Sequence, residues 1–228
     1  MSAPQAALSK APSKSLSPAL LKTKPSREQF EQFKARLCGL VEQISSSPGE
    51  SEEHHKNHIS DFLKYTFKFP AYFINTNDRI DLVIHNGKSA TDTVGVITEV
   101  KRPTNQAEMP TQDNINVKAM QELVLYYLRE RIAANNLSVK HLIITNGYEW
   151  FIFDAHIFEK AFAKDKVLVK QFIEFEAGGS SGYTTDFFYK EIAKRAIENI
   201  GDIEFTHFDL REKSSDKKLI ALFKLFSP

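Results

Sequence analysis

Apolar positions along the chain change period several times, and each change marks an element. From Ser26 onward Phe30, Phe33, Leu37, Leu40, Val41 and Ile44 recur at three- and four-residue steps, the spacing of an amphipathic helix. The breaker SSSPGES ends that run, and Ile59, Phe62, Leu63 and Thr66 mark one face of a second helix from about Glu50 to Thr66. RIDLVIH and TVGVITEV are apolar and β-branched with the turn-rich NGKSATD between them, which predicts two strands joined by a short link. NVKAMQELVLYYLRERIA is the most strongly helical segment, and HLIITN and EWFIFDA read as two strands meeting at an Asn146–Gly147 turn. KQFIEFE is predicted as a further strand leading into the loop AGGSSGYTT, and helices close the chain near Asp186–Asn199 and Asp216–Phe226. Residues 1–25, rich in Ser, Ala, Pro and Lys, carry no sustained period and are predicted to form a flexible leader.

Strands interspersed with helices predict a three-layer α/β domain over residues 26–228, a mixed central β-sheet flanked by helices. The short link between the first two strands argues against a purely parallel sheet. With 228 residues, 42% hydrophobic and 26% charged, the chain can bury one substantial core, and no apolar run approaches the length of a membrane span. The N-terminal residues lack the apolar stretch of a signal peptide. The single cysteine, Cys38, excludes an internal disulfide, so a reducing, cytoplasmic setting is expected. A net charge of +1 argues against a protein that coats nucleic acid through its overall field. It leaves room for an enzyme whose positive charge is local or supplied by a bound metal.

The candidate chemistry lies at the end of VGVITEVK. That segment is apolar on both alternating faces, as a central strand is, yet it ends in Glu99 and Lys101, whose side chains leave the same face. Buried charges of this kind need each other, a metal or a substrate. Asp81 interrupts the preceding strand, and if the two strands pair, Asp81 and Glu99 converge. Two carboxylates and the Val100 carbonyl form a hard-oxygen set suited to Mg²⁺. Lys101 beside them can hold the attacking water and stabilise charge on phosphate. The bland alternative is a structural salt-bridge cluster at the sheet edge.

RIDLVIHNG…VGVITEVKRP resembles the PD-(D/E)xK restriction-endonuclease superfamily, with Ile80 in place of the usual proline. More closely, GESEEHHKNHISDFLKYTF, FINTNDRIDLVIHNG, VGVITEVKRPTNQAEMP, KAMQELVLYYLRERI and HLIITNGYEWFIFDA resemble the N-terminal nuclease region of type IIG restriction–modification enzymes. The resemblance implies a restriction-endonuclease-like fold and Mg²⁺-dependent hydrolysis of phosphodiester bonds in duplex DNA, with Mn²⁺ as a substitute. Asp81, Glu99 and Val100 become metal ligands and Lys101 the catalytic lysine. Relatives add a Glu from an early helix and a Gln from the helix after ExK. Helical spacing from Ile59 favours Glu52 over Glu53 for the first, with complementing the helix dipole as the plain alternative. Gln121 matches the second, although the Gln-x-x-x-Tyr of RecB-like nucleases does not transfer because Tyr126 lies five residues on. No methyltransferase motif is present, so the type IIG resemblance implies an excised nuclease region or a truncated relative, with methylation and target recognition expected on a missing C-terminal part; the apolar ending LIALFKLFSP favours the fragment. One such centre cuts one strand at a time, so a transient homodimer is a reasonable expectation. Two other functions compete: a non-catalytic nucleic-acid-binding module that kept the fold, and a nuclease for single-stranded or structured nucleic acid.

Other signals weigh less. His54 and His58 stand one helical turn apart, a two-histidine pair of transition-metal type, but no further Cys/His cluster accompanies them and a solvated helix face is the simpler reading. AGGSSGYTT lacks the order of a phosphate-binding loop. Phe187–Tyr189 fit a core better than a base-stacking platform. Arg102, Lys88 and Lys118 are near the centre in sequence and are candidate phosphate contacts, with solvated surface as the default.

Overall fold

A computed structural model describes residues 8–68, 71–77, 80–178, 184–200 and 203–226. The chain begins with strand β1 (Leu8–Lys10) and the short helices α1 (Pro12–Ser15) and α2 (Pro18–Lys22), followed by the long helices α3 (Arg27–Ser46) and α4 (Glu52–Leu63). Strands β2 (Ile74–Asn77), β3 (Ile80–His85) and β4 (Val94–Val100) lead to helix α5 (Lys118–Leu128). Then come β5 (His141–Thr145), β6 (Glu149–Asp154), α6 (Ala155–Phe158), α7 (Lys166–Glu176), α8 (Thr185–Phe187), α9 (Lys194–Asn199), β7 (Glu204–Asp209) and α10 (Asp216–Phe226).

Helix starts follow their sequence signals. Ser26 and Gln29 form a reciprocal capping box on α3, and Ser51 caps α4 by accepting from the His54 N–H. Among the described residues the sheet has seven strands in the order β1-β7-β6-β5-β4-β3-β2. β3 and β4 form an antiparallel hairpin, while β4 and β5 run parallel with α5 as the crossover between them. The sheet is therefore mixed, and β4 is central in it.

Two apolar layers cover the sheet. On one face α3, α4 and α10 bury Phe33, Ile44, Ile59, Phe62 and Phe226 against Leu82, Val100 and Trp150. On the other, α5, α7 and the α8–α9 segment bury Leu123, Phe172 and Phe188 against Val83, Ile97, Phe151 and Phe153. The result is a three-layer α/β fold, as the pattern predicted. No helix among the described residues is long and apolar enough to cross a membrane.

Two expectations are corrected, and two strands are added. KQFIEFE belongs to a helix, not a strand: Leu168, Phe172 and Phe175 form its buried stripe, and Asp165 caps it through the N–H groups of Val167 and Leu168. Residues 8–25 are not an unpatterned leader. β1 pairs in parallel with β7, Lys10 forms an ion pair with Glu204, Pro12 and Leu16 are buried, and Ser15 hydrogen-bonds Thr206. Strands β2 and β7 were not foreseen as strands at all. Most of the loop AGGSSGYTT lies outside the described residues.

The Asn146–Gly147 turn joins β5 to β6 as expected. Gly147 has φ +86°, and Asn146 Oδ1 accepts from the N–H groups of Tyr148 (3.0 Å) and Glu149 (2.8 Å).

Candidate active site

The β3–β4 register places Leu82 opposite Thr98, and one step along puts Asp81 opposite Glu99 on the face that carries Val83 and Ile97. Glu99 and Lys101 share that face at the C-terminal end of β4, where the Lys101 N–H continues the ladder to the Thr145 carbonyl at 2.9 Å. Asp81 Oδ2 accepts from the Val100 N–H at 2.9 Å, which locks the end of β3 to the end of β4. Asp81, Glu99, Val100 and Lys101 are thus brought together, as the spacing implied.

Helices from both layers reach over this end of the sheet. Lys101 Nζ lies 2.5 Å from Glu99 Oε1, 2.7 Å from Glu122 Oε2 on α5 and 3.7 Å from Glu108 Oε2. The Glu99 and Lys101 side chains are only 3% and 4% exposed, so neither charge is shared with bulk water. From the opposite layer α4 brings Glu52 and Lys56. Glu52 is half-buried and its carboxyl feels Lys101, Asp81 and Glu122, whereas Glu53 is exposed and pairs with Lys56. Glu52 is therefore the early-helix acid at the cluster. Lys56, buried one turn on, stands 3.8 Å from Asp81 Oδ1.

Burial dominates the electrostatics. It raises the Asp81 carboxyl above its usual range against the lowering effect of the Val100 N–H, and it raises Glu52 as well. Glu99 is pushed well above the ordinary carboxylate range by burial and then by Asp81 and Glu122. Burial opposes the charge on Lys101, but Glu99 and Glu122 outweigh it and raise its pKa. The Tyr126 hydroxyl, on the same helix as Glu122, is raised by burial and by Glu99, and Tyr189 beside it is pushed up to about 12.

Gln121 does not join the cluster as expected. It is buried, but its amide donates to Asn116 Oδ1 at 3.0 Å, and the next residue, Glu122, reaches Lys101 instead. The sequence signal for Glu122 was the distance to Tyr126, four residues on and so on the same helical face. Of the lysines and arginine considered as phosphate contacts, Lys118 lies at the cluster, 3.3 Å from Glu108 and 3.8 Å from Glu122. Arg102 follows Lys101 and is exposed. Lys88 lies in the β3–β4 turn, at the far end of the hairpin from Glu99.

The donor chemistry is of the kind a hard divalent cation takes: Asp81 and Glu99 are oxygen donors on facing strands, Glu52 lies near them on α4, and Glu99 Oε2 is buried without a hydrogen-bond partner. In the arrangement seen, the cation between Glu99 and Glu122 is the Lys101 ammonium. Among the described residues no three acidic, histidine or cysteine side chains already surround a common point.

Comparison with curated proteins and with solved structures gives no match. The family model described as a domain of unknown function, DUF7149, matches residues 10–228, and the chain belongs to that family.

Proposed function

We propose that the chain is a Mg²⁺-dependent endonuclease domain of the PD-(D/E)xK kind, acting on DNA as part of a restriction–modification system. The observation that carries this reading is the convergence of Asp81, Glu99 and Lys101 at the buried end of a central strand, with Glu52 added from α4. A stable fold has little use for so many buried charges, since replacing such a group by packed apolar side chains is often neutral or stabilising.

In this reading Asp81, Glu99, the Val100 carbonyl and Glu52 hold the cation. Bound there, Mg²⁺ supplies charge neutralisation at the scissile phosphate and acidifies water. Lys101, positioned by Glu122, orients the attacking water and offsets the charge that grows on the phosphate oxygens. Lys56 and Lys118 give the local positive charge that the net charge of +1 does not. The restriction-endonuclease fold, duplex DNA as substrate and a pairing of two copies for double-strand cutting belong to the same proposal.

The closed Glu99–Lys101–Glu122 cluster favours a second reading, a nucleic-acid-binding module whose charges are structural. Calorimetric titration with Mg²⁺ or Mn²⁺ and plasmid nicking, on the wild type and on Asp81→Ala, separates the two. Metal binding and nicking that both disappear in Asp81→Ala support the nuclease. Metal binding that is equal in both proteins, with no nicking by either, overturns it in favour of the structural cluster.

A further inference from the structure

Helix α4 opens with three histidines, and two of them present their ring nitrogens to one point. His54 and His58 are half-buried, one turn apart, with ring centroids 4.6 Å apart and planes at 90°. Their Nε2 atoms are 3.0 Å apart, and Ser47 Oγ lies 3.4 Å from the Nε2 of His54. Zinc–imidazole bonds are about 2.0–2.1 Å long, which sets two nitrogens about 2.9 Å apart at a right angle and about 3.3 Å apart at a tetrahedral angle. The observed separation falls between these values with no rotamer change. His55, fully buried, stands edge-on to His54 with centroids 5.8 Å apart.

We infer that His54 and His58 form a two-imidazole site for a late first-row transition ion, Zn²⁺, Ni²⁺ or Cu²⁺, with water completing the coordination. This site is separate from the carboxylate cluster and does not depend on the nuclease reading. Its two donors are borderline nitrogen ligands that suit Zn²⁺, Ni²⁺ and Cu²⁺ and not Mg²⁺, whereas the cluster around Glu99 offers oxygen alone. Imidazole must be neutral to bind. Without an ion one ring must donate to the other; with an ion both lone pairs point at the same partner. The bound ion would clamp two successive turns of α4 at its N-terminal half.

The test is calorimetric titration of the full chain with Zn²⁺, Ni²⁺ and Cu²⁺ after removal of all divalent ions. One of the equivalents bound by the wild type is weakened at least tenfold in His58→Asn and in the double variant His54→Asn/His58→Asn, and is kept by a variant at the exposed His156. Asp81→Ala keeps the equivalent that the histidine variants lose, so failure of the nuclease reading is not mistaken for failure here. Because a histidine variant can disturb the helix, Cu²⁺ spectra of the wild type provide a second readout. Hyperfine coupling to two imidazole nitrogens supports the site. Absence of that coupling, or Zn²⁺ binding equal in wild type and double variant, overturns it.

Discussion

At the scale of single residues, Lys101 carries two burdens that can be measured apart. It neutralises Glu99 and Glu122 in a site closed to water, so Lys101→Met leaves two buried carboxylates without their cation. Breaking a buried pair in this way costs about 3–5 kcal/mol. The pH dependence has a definite sign. Glu99 has a folded-state pKa above its unfolded value, so its protonated form stabilises the fold at low pH and that contribution is lost as pH rises through the raised pKa. In metal-free buffer the stability deficit of Lys101→Met relative to wild type is therefore larger at pH 8 than at pH 5 in chemical denaturation. In the proposed nuclease the same substitution lowers plasmid nicking by about 10²–10⁴-fold, the range of a lost proton-transfer or charge-stabilising group. Glu122→Gln keeps a hydrogen-bonding group on Lys101 and retains most nicking, whereas Glu122→Ala loses it; equal activity in the two would assign Glu122 no part in positioning Lys101.

At the scale of elements, turns and caps decide where the site residues point. A Cβ on Gly147 would stand 2.2 Å from Ile44 Cδ1, at a φ of +86° that side chains rarely adopt. Gly147→Ala therefore lowers stability by about 1–3 kcal/mol on thermal or chemical denaturation, through strain in the β5–β6 turn and a displaced α3. Ser51→Ala removes the cap of α4, costs about 1 kcal/mol and loosens Glu52, the first residue of that helix. Elements were legible where one period ruled: α3 from Phe30 to Ile44, and β4 from its unbroken apolar run. The site triad was legible for the same reason, since a two-residue strand step fixes Glu99 and Lys101 to one face. β7 escaped notice because Phe205 and Phe208 face opposite cores with Thr206 and His207 between them, which leaves no alternation. α7 was misread because Ile173, Glu174, Phe175 and Glu176 alternate apolar and charged locally, while the stripe that defines the helix starts earlier, at Leu168. Glu122 was passed over because Gln121 matched a residue type, whereas the chemistry follows the four-residue spacing to Tyr126.

At the scale of the whole molecule, the first and last described elements meet. β1 covers the outer edge of β7, Pro12 and Leu16 are buried, and Lys224 of α10 donates to the Leu21 carbonyl at 2.8 Å. Deleting residues 1–25 uncovers an edge strand and an apolar surface together. The truncated chain is expected to melt at a lower temperature and to self-associate in light scattering; unchanged behaviour would restore the view of this segment as a dispensable leader. The cluster, in contrast, is assembled from residues 52 to 122 and lies on β3 and β4, several strands away from β1. The pairing of Leu8 with Glu204 also has a consequence for synthesis. A ribosome releases the first strand long before its partner exists, so that strand must wait, unpaired, while nearly two hundred residues are added. The segments that form the charged cluster all emerge during this wait, and β1 can take its place at the sheet edge only once β7 has been made.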